Sequence, residues 1–330
     1  MTRGKALRLA LGVALAGLFL WLIFRQTSMD ELVLAFTDAS TMWIVAALLA
    51  FGVGYACRIQ RWRLMLQREN PELSWRQCAG PLLASFATNN VLPFRAGDVL
   101  RTFAFNRQLG ASSGVVIATL FVERLLDLLM VLVLLGAALA GFGISAQRFA
   151  GLGSAVLVGA AAAILALLLF PRFVAPAALA AGRLAARLAP RVGVRLLTEI
   201  TKSLATLDQL AKGNTMVKLL AWSLAAWLAE GCVFWFAAVS LPSISTPLAG
   251  WLALPVGTLA TLIPSTPGYV GTFDFFTARA MAELGNSAGG AAAFTLLVHA
   301  VLWVPTTLAG SLYMLLSHIR QQARHKATSP

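Results

Sequence analysis

Charge is scarce in this chain, and the charged residues best placed for chemistry fall in three short stretches. These are "VLPFRAGDVLR" (Val91 to Arg101), "FVERLLDLL" (Phe121 to Leu129) and "IPSTPGYVGTFDFFTAR" (Ile263 to Arg279). In the first, Pro93 removes a backbone donor and breaks a helix, and Gly97 permits a tight reversal. Arg95 and Arg101 carry guanidinium forks of the kind that grip a phosphate bidentately. Asp98 is placed to hold one of them or to cap the helix that restarts there. Asn89 and Asn90 put neutral hydrogen-bonding groups just ahead of the break. The competing role for both arginines is structural, with long side chains reaching to the membrane surface.

The second stretch sets Glu123 and Asp127 one helical turn apart, with Arg124 able to pair with Asp127. A cluster tying them to Arg95 or Arg101 and direct contact with a ligand both remain open. Glu230 stands inside the apolar run "AWLAEGCVF", where an ionised carboxylate is expensive unless paired or wetted. His299 is either its partner or a hydrogen-bonded core histidine. In the third stretch Pro264, Pro267, Gly268 and Gly271 impose irregular backbone, Asp274 is placed to cap or pair, and Arg279 to reach a surface. "ACRIQRWRLML" adds Arg58, Arg61 and Trp62, which read as an interface anchor with a further capacity for anionic headgroups.

These residues must be positioned by elements that lie in lipid. Hydrophobic residues make up 59% of 330 and charged ones 12%, about half the share usual in a soluble domain. The net charge of +13 is spread between apolar runs, which fits membrane topology and argues against nucleic acid as a partner. Cys57, Cys78 and Cys232 lack metal or disulfide spacing, and the three histidines do not cluster, so neither metal nor cofactor is expected.

Runs long enough to cross lie near 6–24, 41–57, 114–141, 150–170, 218–240 and 290–317. Two others, 79–92 and 249–263, stop at prolines and are followed by "DVLRTFAFNRQLG" and "GTFDFFTARAMAELG". Two short arms joined at a break predict re-entrant hairpins, tolerated only against protein or water. Basic residues place both termini, the loop after 57 and the 172–213 region on the cytoplasmic side if neither interrupted segment crosses. The first hairpin then enters from the cytoplasm and the second from outside. About 41–141 and about 218–317 follow the same order in opposite orientation, an inverted repeat in which "LPFRAGDV" overlies "IPSTPGYV". The 172–213 region reads as a basic amphipathic segment on the inner leaflet, or as a loop carrying a helix.

Taken in order, "RIQRW", "NNVLPFRAGDVLR", "ERLLD" and "PSTPGYVGTFD" resemble the transmembrane flippase region of bacterial lysylphosphatidylglycerol synthases of the MprF type, from about Trp43 to the last span. The resemblance implies that both hairpins line a cavity associated with lipid translocation. It maps that cavity onto Asn90, Pro93, Arg95, Gly97, Asp98 and Arg101, and onto Pro264, Pro267, Gly268 and Gly271. Glu123, Arg124 and Asp127 match the family's acidic-basic triplet, and Asp274 stands where many relatives carry glutamate. The sequence ends after "HIRQQARHKATSP" without an aminoacyl-transferase domain, so lipid-modifying chemistry is not expected.

The expectation is therefore a single all-α integral domain of six spans and two hairpins in a bacterial inner membrane. It moves an amphipathic phosphate-bearing lipid between leaflets. Arg95 and Arg101 draw the headgroup, and Asp98, Glu123 and Asp127 orient them. Two rivals stand beside it: a membrane enzyme using those carboxylates on a lipid-linked substrate, and a non-transporting envelope assembly factor. Membrane lipids are the expected partners. A partner enzyme of a lipid-biosynthesis pathway and a homo-oligomer are left open.

Overall fold

The computed structural model describes residues 17–19, 21, 29–92, 95–143, 154–173, 175–263 and 266–328, and every regular element among them is helical. Most of the expected first span lies outside the described residues, as do Pro93 and Pro264 at the two breaks. The chain runs through α1 (Met29–Thr37), α2 (Thr41–Leu66), α3 (Trp75–Val91), α4 (Ala96–Phe103), α5 (Asn106–Leu109) and α6 (Ser113–Gly141). It continues through α7 (Ser154–Leu169), α8 (Ala175–Leu188), α9 (Pro190–Ala211) and α10 (Asn214–Val239). It closes with α11 (Gly250–Ala260), α12 (Thr272–Glu283) and α13 (Ala288–Thr328).

Thr41–Leu66, Asn214–Val239 and Ala288–Ile319 are long and apolar enough to cross a membrane. Helix α6, with 29 residues, is about 44 Å long at 1.5 Å per residue, so its length also suffices. Helix α7 has 16 residues within the described range, about 24 Å, short of the roughly 30 Å of hydrocarbon.

The span expected over 41–57 does not stop there. Helix α2 continues to Leu66 and carries Arg58, Arg61 and Trp62 into the core, where they are buried. Charge in the sequence suggested a helix end. Carboxylates on neighbouring helices remove the penalty that would have produced one.

Helix starts follow their local chemistry. Ser74 caps α3 with a reciprocal box: its hydroxyl accepts from the Gln77 amide, and the Gln77 side chain accepts from the Ser74 amide at 2.8 Å. Asp274 accepts from the Gly271 amide at 2.8 Å and fixes the start of α12. At the first break Arg95, not Gly97, takes the left-handed conformation, with φ 52°. Gly97 sits inside α4, where a Cβ would run into the Ser85 carbonyl. Its smallness lets α4 fold back onto α3; it does not supply the turn. At the second break Gly268 (φ 71°) and Gly271 (φ 88°) do adopt left-handed backbone, together with Tyr269 (φ 61°).

Two sets of four helices, α2, α3, α4, α6 and α10, α11, α12, α13, pack reciprocally. Helix α2 lies against α10, the most extensive helix pair. Helix α3 packs on α13 as α11 packs on α6. Helix α3 packs on α4 as α11 packs on α12, and α4 meets α6 as α12 meets α13. The tip at Pro267–Tyr269 rests on α3, so the two breaks meet near the middle of the bundle. Helices α8 and α9 pack on each other, and α9 joins the start of α6, where Ser203 donates to the Gly114 carbonyl at 2.7 Å. The basic 172–213 region is thus a helical pair with Arg183, Arg187, Arg195 and Lys202 exposed.

The fold makes a testable demand at Gly97. Gly97→Val should force the two arms apart, at a cost of about 1–3 kcal/mol for overpacking. Gly52→Ala, where a Cβ meets open space, should leave the thermal midpoint of detergent-solubilised protein unchanged or raise it. Equal midpoints for Gly97→Val and the parent would contradict the arm contact.

Candidate functional site

Helical spacing brings the charged residues to one place. Arg58 and Arg61 lie three apart on α2, Glu123 and Asp127 four apart on α6, so each pair shares a helix face. Helices α2, α6 and α10 turn those faces toward one another.

Arg61 donates to Asp127 Oδ1 at 2.8 Å and to the Ser223 hydroxyl at 2.9 Å. The Trp227 indole donates to the same Asp127 oxygen at 3.1 Å. Arg58 pairs with Glu230 across the α2–α10 contact and stands 3.7 Å from Asp127. Arg101, fully buried, donates to Glu123 at 2.7 Å, and its guanidinium lies 4.6 Å from the centroid of the Trp62 ring. Its Nε and Nη1 have no hydrogen-bond partner, so the ring face is what offsets their burial. Arg124 reaches Asp98 at 3.4 Å, Glu123 at 3.6 Å and Asp127 at 3.9 Å, all longer than a well-formed charged hydrogen bond. Every one of these carboxylates has a cation beside it, as burial in lipid requires.

A cavity of about 440 Å³ opens against this cluster. At roughly 30 Å³ per water it has room for about 15 molecules. Arg58, Arg95, Arg124, Asp127, Glu230 and His299 form its polar wall. Tyr55, Trp227, Tyr269 and Trp303 are among its aromatic lining, with leucines and phenylalanines completing it. Asn89, Asn90 and Gly268 bring the two breaks to its rim.

The asparagines also hold the breaks in place. Asn89 accepts from the Gly97 amide at 2.7 Å and donates to Asp98 at 3.1 Å. Asn90 donates to the Thr306 and Thr307 hydroxyls on α13, while the Trp303 indole donates to the Asn90 carbonyl at 3.4 Å. A Cβ at Gly268 would strike the Trp303 indole, so the second tip can approach α3 and α13 only as glycine. Asp274 is buried and joined to His299 Nδ1 at 2.6 Å, so the histidine of α13 is tied to the start of α12.

Several expectations are corrected here. Arg101 does not face the cavity; its bond to Glu123 and its stacking on Trp62 bury it. Arg61 and Trp62 are not interface anchors, since Asp127 and Thr119 engage them inside the bundle. Glu230 is neither lone nor bonded to His299; its partner is Arg58, and that of His299 is Asp274. Gly97, Asp98, Glu123, Asp274, Pro267 and Gly271 support the wall from behind it. Arg279 pairs on the surface with Glu283.

Sequence reasoning missed the cavity's aromatic members. Trp227 and Glu230 sit three apart and His299 and Trp303 four apart, a spacing that places each pair on one face. Among the described residues no group of three His, Cys, Asp or Glu is arranged to hold a metal.

An all-helical bundle with lipid-length apolar helices and a charged cavity between them is an integral membrane protein. The model of the lysylphosphatidylglycerol synthase TM region family matches residues 9–310. The chain belongs to that family. No curated protein matches it.

The Arg101–Glu123 bond sets a stability prediction. Arg101→Met alone strands a buried carboxylate and should cost about 3–5 kcal/mol. Adding Glu123→Leu should restore most of that loss in denaturant unfolding in micelles. A double variant no more stable than Arg101→Met would show that the pair is not the source of the loss.

Proposed function

We propose that this protein moves an amphipathic, phosphate-bearing lipid between the leaflets of a bacterial inner membrane, with both termini in the cytoplasm. In this reading α3–α4 and α11–α12 are re-entrant hairpins entering from opposite faces, within six spans arranged as an inverted repeat. The reciprocal helix packing supports that arrangement. The observation that carries the function is the cavity itself: an arginine-bearing hollow of about 440 Å³ where both broken segments meet, between helices of membrane length. The headgroup would pass through it while the acyl tails stay in lipid.

The carboxylates that an enzyme would need favour translocation over catalysis. Asp98, Glu123 and Asp127 are each committed to an arginine, which leaves no free pair to act as base and metal ligand.

Two experiments test the reading. Cysteines at Ala96 and Thr266 should be labelled by an impermeant reagent from opposite faces of inside-out and right-side-out vesicles. Ordinary loops between complete crossings would give a different pattern. In proteoliposomes, Leu128→Trp with Thr258→Trp, which fill the cavity from α6 and α11, should slow movement of a fluorescent phosphatidylglycerol about tenfold, or ~1.4 kcal/mol in barrier. Movement at the parent rate would rule the cavity out as the route.

A further inference from the structure

Resting on that reading, we infer that the cavity selects a lipid headgroup bearing one phosphate group and no amine, and that Arg95 is the residue that makes the selection. A headgroup of the kind the family name suggests, a phosphodiester esterified with lysine, would be the wrong ligand for this chain.

The argument is a matching of partners around the wall. Glu230 is taken by Arg58, and Asp127 by Arg61 and the Trp227 indole. Behind the wall, Glu123 is taken by Arg101 and Asp98 lies against Arg124 and Asn89. Asp274 is held by His299 and the Gly271 amide, and it does not line the cavity. Every carboxylate at the site therefore has its partner. Arg95 alone among the lining arginines has a guanidinium with no ion pair or hydrogen bond to the described residues; only its carbonyl is engaged, accepting from the Asp98 amide at 3.0 Å. Arg124 adds unspent capacity, since its three carboxylates stand at 3.4–3.9 Å and its Nε is unpartnered.

An anion entering the cavity meets one unpaired guanidinium and a second that is loosely held. An ammonium meets no unpaired carboxylate and must approach three arginines. Aromatic faces can bind cations, but the Trp227 face is already covered by Arg58, whose guanidinium lies 5.1 Å from the ring centroid.

Backbone geometry marks Arg95 and, at the second break, Tyr269 as the non-glycine residues with positive φ. Arg95 has φ 52°, a conformation that costs a non-glycine residue about 1–3 kcal/mol, at a break where glycine would fit without strain. An arginine at such a position costs stability that glycine would not, and its guanidinium faces the cavity. The same phosphate chemistry belongs to a phosphoglycerol lipid and to a polyprenyl phosphate, and both must be compared.

The test uses the purified full-length chain in micelles, with displacement of fluorescent phosphatidylglycerol as the readout. Competitors are unlabelled phosphatidylglycerol, polyprenyl phosphate, phosphatidylethanolamine and lysyl-phosphatidylglycerol. At least one of the two anions should compete about tenfold better than either amine-bearing lipid, and the stronger of the two names the source. Arg95→Asn and Arg95→Asp suit the left-handed backbone. Asn should level the ranking, Asp should turn it toward the amines, and Arg95→Lys should keep the parent order. Equal competition by lysyl-phosphatidylglycerol in the parent, or an unchanged ranking in Arg95→Asp, overturns the inference without reference to transport. Anion preference with no lipid movement in vesicles upholds this selectivity and overturns translocation alone.

Discussion

The need to neutralise charge in a medium that cannot hydrate it governs this bundle. An arginine or carboxylate left alone in the interior costs several kcal/mol, more than any single helix contact returns. The chain meets that constraint with pairs that cross between helices: Arg58 with Glu230, Arg61 with Asp127, Arg101 with Glu123. Each pair therefore also fixes an orientation. Arg58–Glu230 ties α2 to α10, and Asp127 adds α6 to the same knot. The short α4 is anchored to α6 through Arg101, so the first broken segment is located by an ion pair as well as by the Gly97 contact.

A cavity follows from the same pairs. Helices held by salt bridges along one level cannot also close with aliphatic side chains there. The hollow that remains is polar on the wall carrying the charges and apolar elsewhere, with aromatic and aliphatic side chains. Its rim is made by the two breaks, which are joined to α13 and to each other near Asn90, Trp303 and Gly268. Salt bridges fix the charged wall, and hydrogen bonds of Asn89, Asn90 and Trp303 fix the rim.

Much of this was legible in the residues. Proline and glycine marked both breaks, and the Glu123–Arg124–Asp127 spacing announced a charged helix face. What could not be read was which partner each charge would find. A local reading left His299 open as the partner of Glu230, placed Arg61 and Trp62 at an interface and gave Arg101 to the headgroup, because sequence neighbours give no measure of contacts between residues 22 or 172 positions apart. The end of α2 was misplaced for the same reason: charge predicts a helix end only while its neutralising partners are unknown. The turn was assigned to Gly97 where Arg95 makes it, since a strained arginine leaves no compositional trace. His299 and Trp303 carried a helical spacing that pointed at the site, but only the packing of α13 on α3 gives that face a meaning.

The central claim is that a lipid phosphate occupies the hollow between Arg95, whose guanidinium no internal pair engages, and Arg124, whose carboxylates stand at 3.4–3.9 Å. An electron cryomicroscopy map of the protein in nanodiscs containing phosphatidylglycerol tests it most directly. The account predicts headgroup density between Arg95 and Arg124, with tails leaving toward the lipid. A cavity filled only by acyl chain, or closed with Arg95 paired to a carboxylate, would contradict it.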